Sequence, residues 1–138
     1  MFEEKFMETK TFYFNPIREC CFVAWDQTGS CIFIDPGCYG ERELQRLKMA
    51  LDDAERIAPD KPILVMMHFP PLLQTDRETV FTEILEARKN VAAVVSGHLH
   101  GAACANGFSG EQRGIRYYPV SCDAIGFCPQ EIPWPVKS

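Results

Sequence analysis

Three histidines occur in the chain, and two of them stand one residue apart in Val94-Val95-Ser96-Gly97-His98-Leu99-His100-Gly101, at the end of an apolar run and beside two glycines. The third, His68, directly follows another apolar run, Pro62-Ile63-Leu64-Val65-Met66-Met67. Neutral imidazole is a common ligand of zinc, iron, manganese and related ions, and its ring must be held in a rigid, accessible position. A strand end is such a position. Gly97 and Gly101 would let the backbone turn tightly and approach an ion with no Cβ in the way. A histidine taken alone is more often a hydrogen-bonded structural residue than a ligand. Here all three fall where two adjacent parallel strands are expected to end, so His68, His98 and His100 are the candidate metal ligands.

Other side chains are weaker candidates. Asp35 could reach the metal region as a carboxylate ligand, but the cap of an Asp-Pro-Gly turn is the favoured reading. Cys104 and Asn106 lie just beyond His100 and could line a pocket; Ser121 and Cys122 follow a strand end and could touch a substrate. No base at suitable spacing marks either as a nucleophile, and no nucleophile-elbow pattern occurs, so the catalytic residues stay unassigned. There is no Cys-x-x-Cys pair, which argues against a thiolate metal site.

The elements that must hold the histidines can be read from hydrophobic period and turn residues. Short aromatic and β-branched runs, Thr11 to Phe14, Cys20 to Trp25 and Cys31 to Ile34, predict three strands, the last two joined as a hairpin by Asp26-Gln27-Thr28-Gly29. Asn15-Pro16 breaks the first from the second, and Asp35-Pro36-Gly37 stops the third. Leu44, Leu47, Leu51 and Ala54 recur at spacings of three and four, predicting an amphipathic helix from Glu41 to Ile57 that Pro59 ends. Pro62 to Met67 and Val91 to Val95 read as strands buried on both faces. Between them a helix is expected over about Glu78 to Lys89, capped by Thr75 or Asp76, with Val80, Phe81, Ile84 and Leu85 turned inward. A glycine-rich segment, Gly107 to Gly114, precedes a further strand at Arg116 to Val120, and Ile132 to Pro135 reads as an irregular tail. Strand, helix, strand, helix, strand is the order of an α/β sheet, in which functional groups gather past the carboxyl ends of the strands.

At 138 residues and 46% hydrophobic composition the expectation is one domain, with a strand-rich segment at 8–40 and an α/β segment at 41–128 that carries the histidines. A formal charge of −5 supplies no footprint for nucleic acid or an anionic membrane surface. No apolar run approaches the roughly 20 residues of a spanning helix, and Met1-Phe2-Glu3-Glu4-Lys5 is charged where a signal peptide would turn apolar. A cytoplasmic protein is expected. The seven cysteines are odd in number and four of them, Cys20, Cys21, Cys31 and Cys38, lie in or beside apolar runs, so most are read as reduced thiols.

His68-Phe69-Pro70-Pro71 after an apolar strand, then a helix and a strand, then Gly97-His98-Leu99-His100 resembles the C-terminal half of the calcineurin-like metallophosphoesterases. The strand-like Gly114-Ile115-Arg116-Tyr117-Tyr118 and the following Pro119-Val120-Ser121 extend the likeness, which covers about 44–127. The resemblance implies a partial αββα sandwich in which His68 and His98 ligate one ion and His100 another. It implies a divalent Mn, Fe or Zn cofactor and a phosphate ester substrate, either a phosphodiester or a phosphomonoester. The family's earlier motifs have no counterpart here: an Asp-x-His, a Gly-Asp-x-x-Asp with the bridging carboxylate, and an Asn-His pair. Three imidazoles cannot by themselves hold two ions roughly 3.5–4 Å apart. The expectation is therefore a single truncated domain whose dinuclear site needs residues outside this chain, with weak or no turnover alone.

A softer resemblance links about 10–38 to the opening strands of metallo-β-lactamase-fold hydrolases, without that family's His-x-His-x-Asp-His motif. The alternatives to a phosphoesterase are a fragment of such a hydrolase, or a non-catalytic remnant or interaction module. In the latter, a homo-oligomer or a partner segment would complete the sheet.

Overall fold

A computed structural model of the chain describes residues 8–13, 20–25, 31–34 and 41–134. Among them the strands β1 (Glu8–Tyr13), β2 (Cys20–Trp25), β3 (Cys31–Ile34), β4 (Ile63–Met67), β5 (Val91–Ser96), β6 (Gly110–Gln112) and β7 (Ile115–Pro119) form one mixed sheet in the order β1-β2-β3-β4-β5-β7-β6. β1, β2 and β3 pair antiparallel, the centre runs parallel from β3 through β4 and β5 to β7, and β6 closes the far edge antiparallel to β7. The fold is mixed α/β, as the order of periods predicts. The expected turns at Asn15-Pro16, Asp26 to Gly29 and Asp35 to Gly37, the Asp35 alternatives, Phe14, Cys38 and Pro135 lie outside the described residues.

Helix α1 (Glu41–Ile57) joins β3 to β4 and matches its expected limits. Its leucine and alanine stripe is the cause: Leu47, Ala50, Leu51 and Ala54 are buried in one cluster with Ile63, Val65 and Met67 of β4. Each such leucine contributes about 1.5–3 kcal/mol by leaving water. Helix α2 (Val80–Glu86) joins β4 to β5 and sets Ile84 and Leu85 into the same cluster, so both helices cover one face of the sheet. Among the described residues no helix is long and apolar enough to cross a membrane.

The sequence reading of α2 needs three corrections. The helix is shorter than the expected Glu78 to Lys89, and its cap is Thr79 in place of Thr75 or Asp76. Thr79 Oγ1 accepts from the Thr82 amide at 3.2 Å and donates to the Pro71 carbonyl at 2.6 Å, while Thr82 Oγ1 accepts from the Thr79 amide at 2.8 Å. Asp76 instead closes a backbone turn with Leu73. Val80, expected inward, stands exposed in the first turn, and Thr82 takes a buried place with its hydroxyl donated to the Thr79 carbonyl. At the other end the chain tightens, Arg88 N–H reaching Leu85 O, and the Arg88 side chain crosses to Asp52 and Glu55 of α1.

β4 also departs from expectation. Ile63, Val65 and Met67 are buried under the helices, but Leu64 and Met66 on the opposite face are only half-buried, because both helices lie on one side. β5 is covered on both faces except at Ala92, where the register with β4 shifts. Two elements had no sequence signal: a 3₁₀ turn at Gly101–Asn106 and the short strand β6. β6 turns into β7 through Arg113-Gly114, with φ 48° and 83°, a two-residue hairpin turn of the kind usually written with asparagine or aspartate before the glycine.

Candidate metal centre

Parallel pairing brings the histidines together. Met67 of β4 stands opposite Ser96 of β5, so the residues that follow the two strands emerge side by side at their carboxyl ends. The Gly97 amide extends the ladder by donating to the His68 carbonyl at 3.2 Å. The Leu99 amide then donates to the Gly97 carbonyl at 2.9 Å, closing a three-residue turn with His98 at its centre at φ 70°. This is the rare, strained form of that turn, and it aims the His98 ring back across the strand ends.

The result is a pair of converging imidazoles. His98 Nδ1 and His68 Nε2 lie 3.1 Å apart with the rings inclined at 71°, and the Phe69 ring lies 4.2 Å from the His98 ring. In this state one ring donates to the other, the direction following the tautomer. Both rings are exposed. An open cleft of about 270 Å³ lies beside His68, lined also by Met66, Val95, Gly97 and Val120. The 3.1 Å between the two nitrogens is of the order of the separation between neighbouring nitrogen ligands on one ion.

His100 is placed differently. It occupies the capping position of the 3₁₀ turn without capping it, and its Nδ1 lies 2.9 Å from Asp123 Oδ1. Asp123 Oδ2 accepts from the Gly101 amide at 2.6 Å, and Oδ1 also accepts from the Ala124 amide at 3.1 Å. These bonds, the Gly101 amide first and the His100 ring after it, outweigh burial and hold the Asp123 carboxyl down at about 2. Gly101 sits at φ 57°, where a glycine is favoured, whereas Gly97 has no such backbone and a Cβ there would make only ordinary contact with His68 O at 3.9 Å. The tight turn expected at Gly97 is made instead by His98, at positive φ.

The remaining candidates separate. Cys104, half-buried in the 3₁₀ turn, donates to the Leu99 carbonyl at 3.0 Å, and burial and the Asp123 carboxylate push its thiol up. Asn106 meets Gln74 through its backbone and stands exposed. Ser121 is buried with no hydrogen-bond partner for its Oγ among the described residues, and Cys122 is exposed. Among the described residues the group of three metal-type donors that comes within 4.8 Å is His100, Cys122 and Asp123, not the three histidines. Asp123 had gone unnoticed in the sequence. It lies four residues past the carboxyl end of β7, which runs parallel to β5, and the strand-end rule applied to β7 points to the segment that holds it.

The chain matches no protein-family model, no curated protein and no solved structure.

Proposed function

We propose that the chain is a metal-dependent phosphoesterase of the calcineurin-like type, or the metal-binding portion of one, acting on a phosphodiester or phosphomonoester. One observation carries the reading: His68 Nε2 and His98 Nδ1 converge to 3.1 Å at adjacent parallel strand ends, and the strained φ of His98 serves that convergence. His68 and His98 would hold one Mn, Fe or Zn ion, with His100 as the ligand toward a second. The chemistry such ions supply is Lewis acidity toward phosphoryl oxygens. The chain's own residues position and shield: Phe69 walls the pair on one side, and the cleft over Met66 and Val95 is the space a substrate would enter. On this reading the sheet is one half of an αββα sandwich, the site is completed by carboxylates from elsewhere, and the protein works in the cytoplasm.

Elemental analysis of the purified chain against a His68→Ala, His98→Ala double variant tests it, with release of nitrophenol from bis(p-nitrophenyl) phosphate measured alongside. The expected result is bound Mn, Fe or Zn that falls by about one equivalent per chain in the variant, with turnover weak or undetectable in the isolated chain. An equal metal content in both proteins after incubation with each ion overturns the reading. A second reading, an interaction module whose sheet is completed by another copy or a partner segment, is favoured by the half-buried Leu64 and Met66. A monodisperse monomer at high concentration, measured by light scattering, would sink it.

A further inference from the structure

We infer that His100, Cys122 and Asp123 form a separate, thiolate-containing site for a borderline divalent ion such as zinc. The site stands on its own geometry and shares only His100 with the phosphoesterase reading. One donor atom from each residue lies within 4.8 Å of the others, and the two halves of the group come from segments more than twenty residues apart. Imidazole nitrogen, thiolate sulfur and carboxylate oxygen are the three protein ligand types that zinc takes, and three of them leave the fourth tetrahedral position open to water or substrate.

The carboxylate is already aimed. The Gly101 amide holds Asp123 Oδ2 at 2.6 Å, which turns Oδ1 to the His100 ring at 2.9 Å. The thiol of Cys122 is exposed and reduced, so an ion can reach it from solvent. Cys104 Sγ donates to the Leu99 carbonyl at 3.0 Å and to Asp123 Oδ1 at 3.7 Å, and it is the Cys122 sulfur that lies within 4.8 Å of both other donors. On binding, the S–H bond of Cys122 breaks, sulfur keeps the electron pair as ligand, and the proton passes to solvent.

Cobalt(II) titration of the metal-free full chain under reducing conditions provides the test. The expected result is a near-ultraviolet sulfur-to-cobalt charge-transfer band that saturates at about one ion per chain with about one proton released. That band should persist in the His68→Ala, His98→Ala variant and vanish in Cys122→Ser. Asp123→Asn should weaken cobalt binding by at least about 10-fold, the range seen when a group that fixes a metal site is removed. A band that is absent from the wild-type chain, or that survives in Cys122→Ser, overturns the inference. Peptide mapping of iodoacetamide labelling guards against a misfolded variant, since it uses the unaltered chain: zinc should protect Cys122, and labelling of Cys122 unchanged by zinc also overturns it. An equal Mn, Fe or Zn content in the unaltered chain and the His68→Ala, His98→Ala variant, with the band intact, would end the phosphoesterase reading alone.

Discussion

His98 is held where a side chain is disfavoured, at φ 70°, a conformation that costs on the order of 1–3 kcal/mol. Two backbone bonds enforce it, Gly97 to His68 across the strand ends and Leu99 back to Gly97 within the turn. Asp123 makes a different kind of anchor, tying the segment after β7 to the 3₁₀ turn through Gly101. Its carboxyl is held at about 2 when folded, against an ordinary value of about 3.9 in the unfolded chain. A group depressed in this way binds its proton more readily when unfolded, so its contribution is complete above about pH 4 and fades as the pH falls through about 2. A pH titration of the Asp123 carboxyl and Gly101 amide resonances in the metal-free protein should therefore give a midpoint close to 2. A midpoint near 4 would show that the Gly101 amide does not hold the carboxylate.

At the level of elements, α2 is seven residues long and could not persist as an isolated helix, so its cap and its buried face carry it. Thr79 closes the capping box and also binds Pro71, which joins the helix start to the loop that leaves His68. Thr79→Ala should lower stability by about 1–2 kcal/mol, read as a shift in the urea midpoint with an unchanged slope. The β6–β7 hairpin is tied to α2 by side chains: Gln112 and Arg113 both donate to the Glu86 carboxylate at 2.9 Å. The strand after Gly114 is visible in its alternating residues. The one before it is not, because Gly110-Glu111-Gln112 has no strand-forming side chain and exists by pairing with β7.

At the scale of the molecule, one apolar cluster runs from α1 through β4 and β5 to Phe108, Ile115 and Tyr117, so the strand ends that carry the histidines share their support with both helices. Leu51→Ala, at a fully buried position of α1, should cost about 2–5 kcal/mol. Far-ultraviolet circular dichroism and the histidine ring resonances should report that loss as one transition, and separate transitions would mean that the strand ends are supported independently of α1.

Local chemistry was enough to read α1, the parallel centre of the sheet and the placing of His68 and His98 after adjacent strands, because period-3.6 and continuous apolar runs are signals each segment carries by itself. Thr79 lay within that reach too, but Thr82 serves in the position where a capping box is usually written with glutamate or glutamine, and the pattern passed unread. Which side chains meet was another matter. The approach of His98 to His68 depends on strand register and on a left-handed residue, and the pairing of His100 with Asp123 depends on β7 lying beside β5. Contacts between residues twenty or thirty positions apart are set by how the elements pack, and no window along the chain contains both partners.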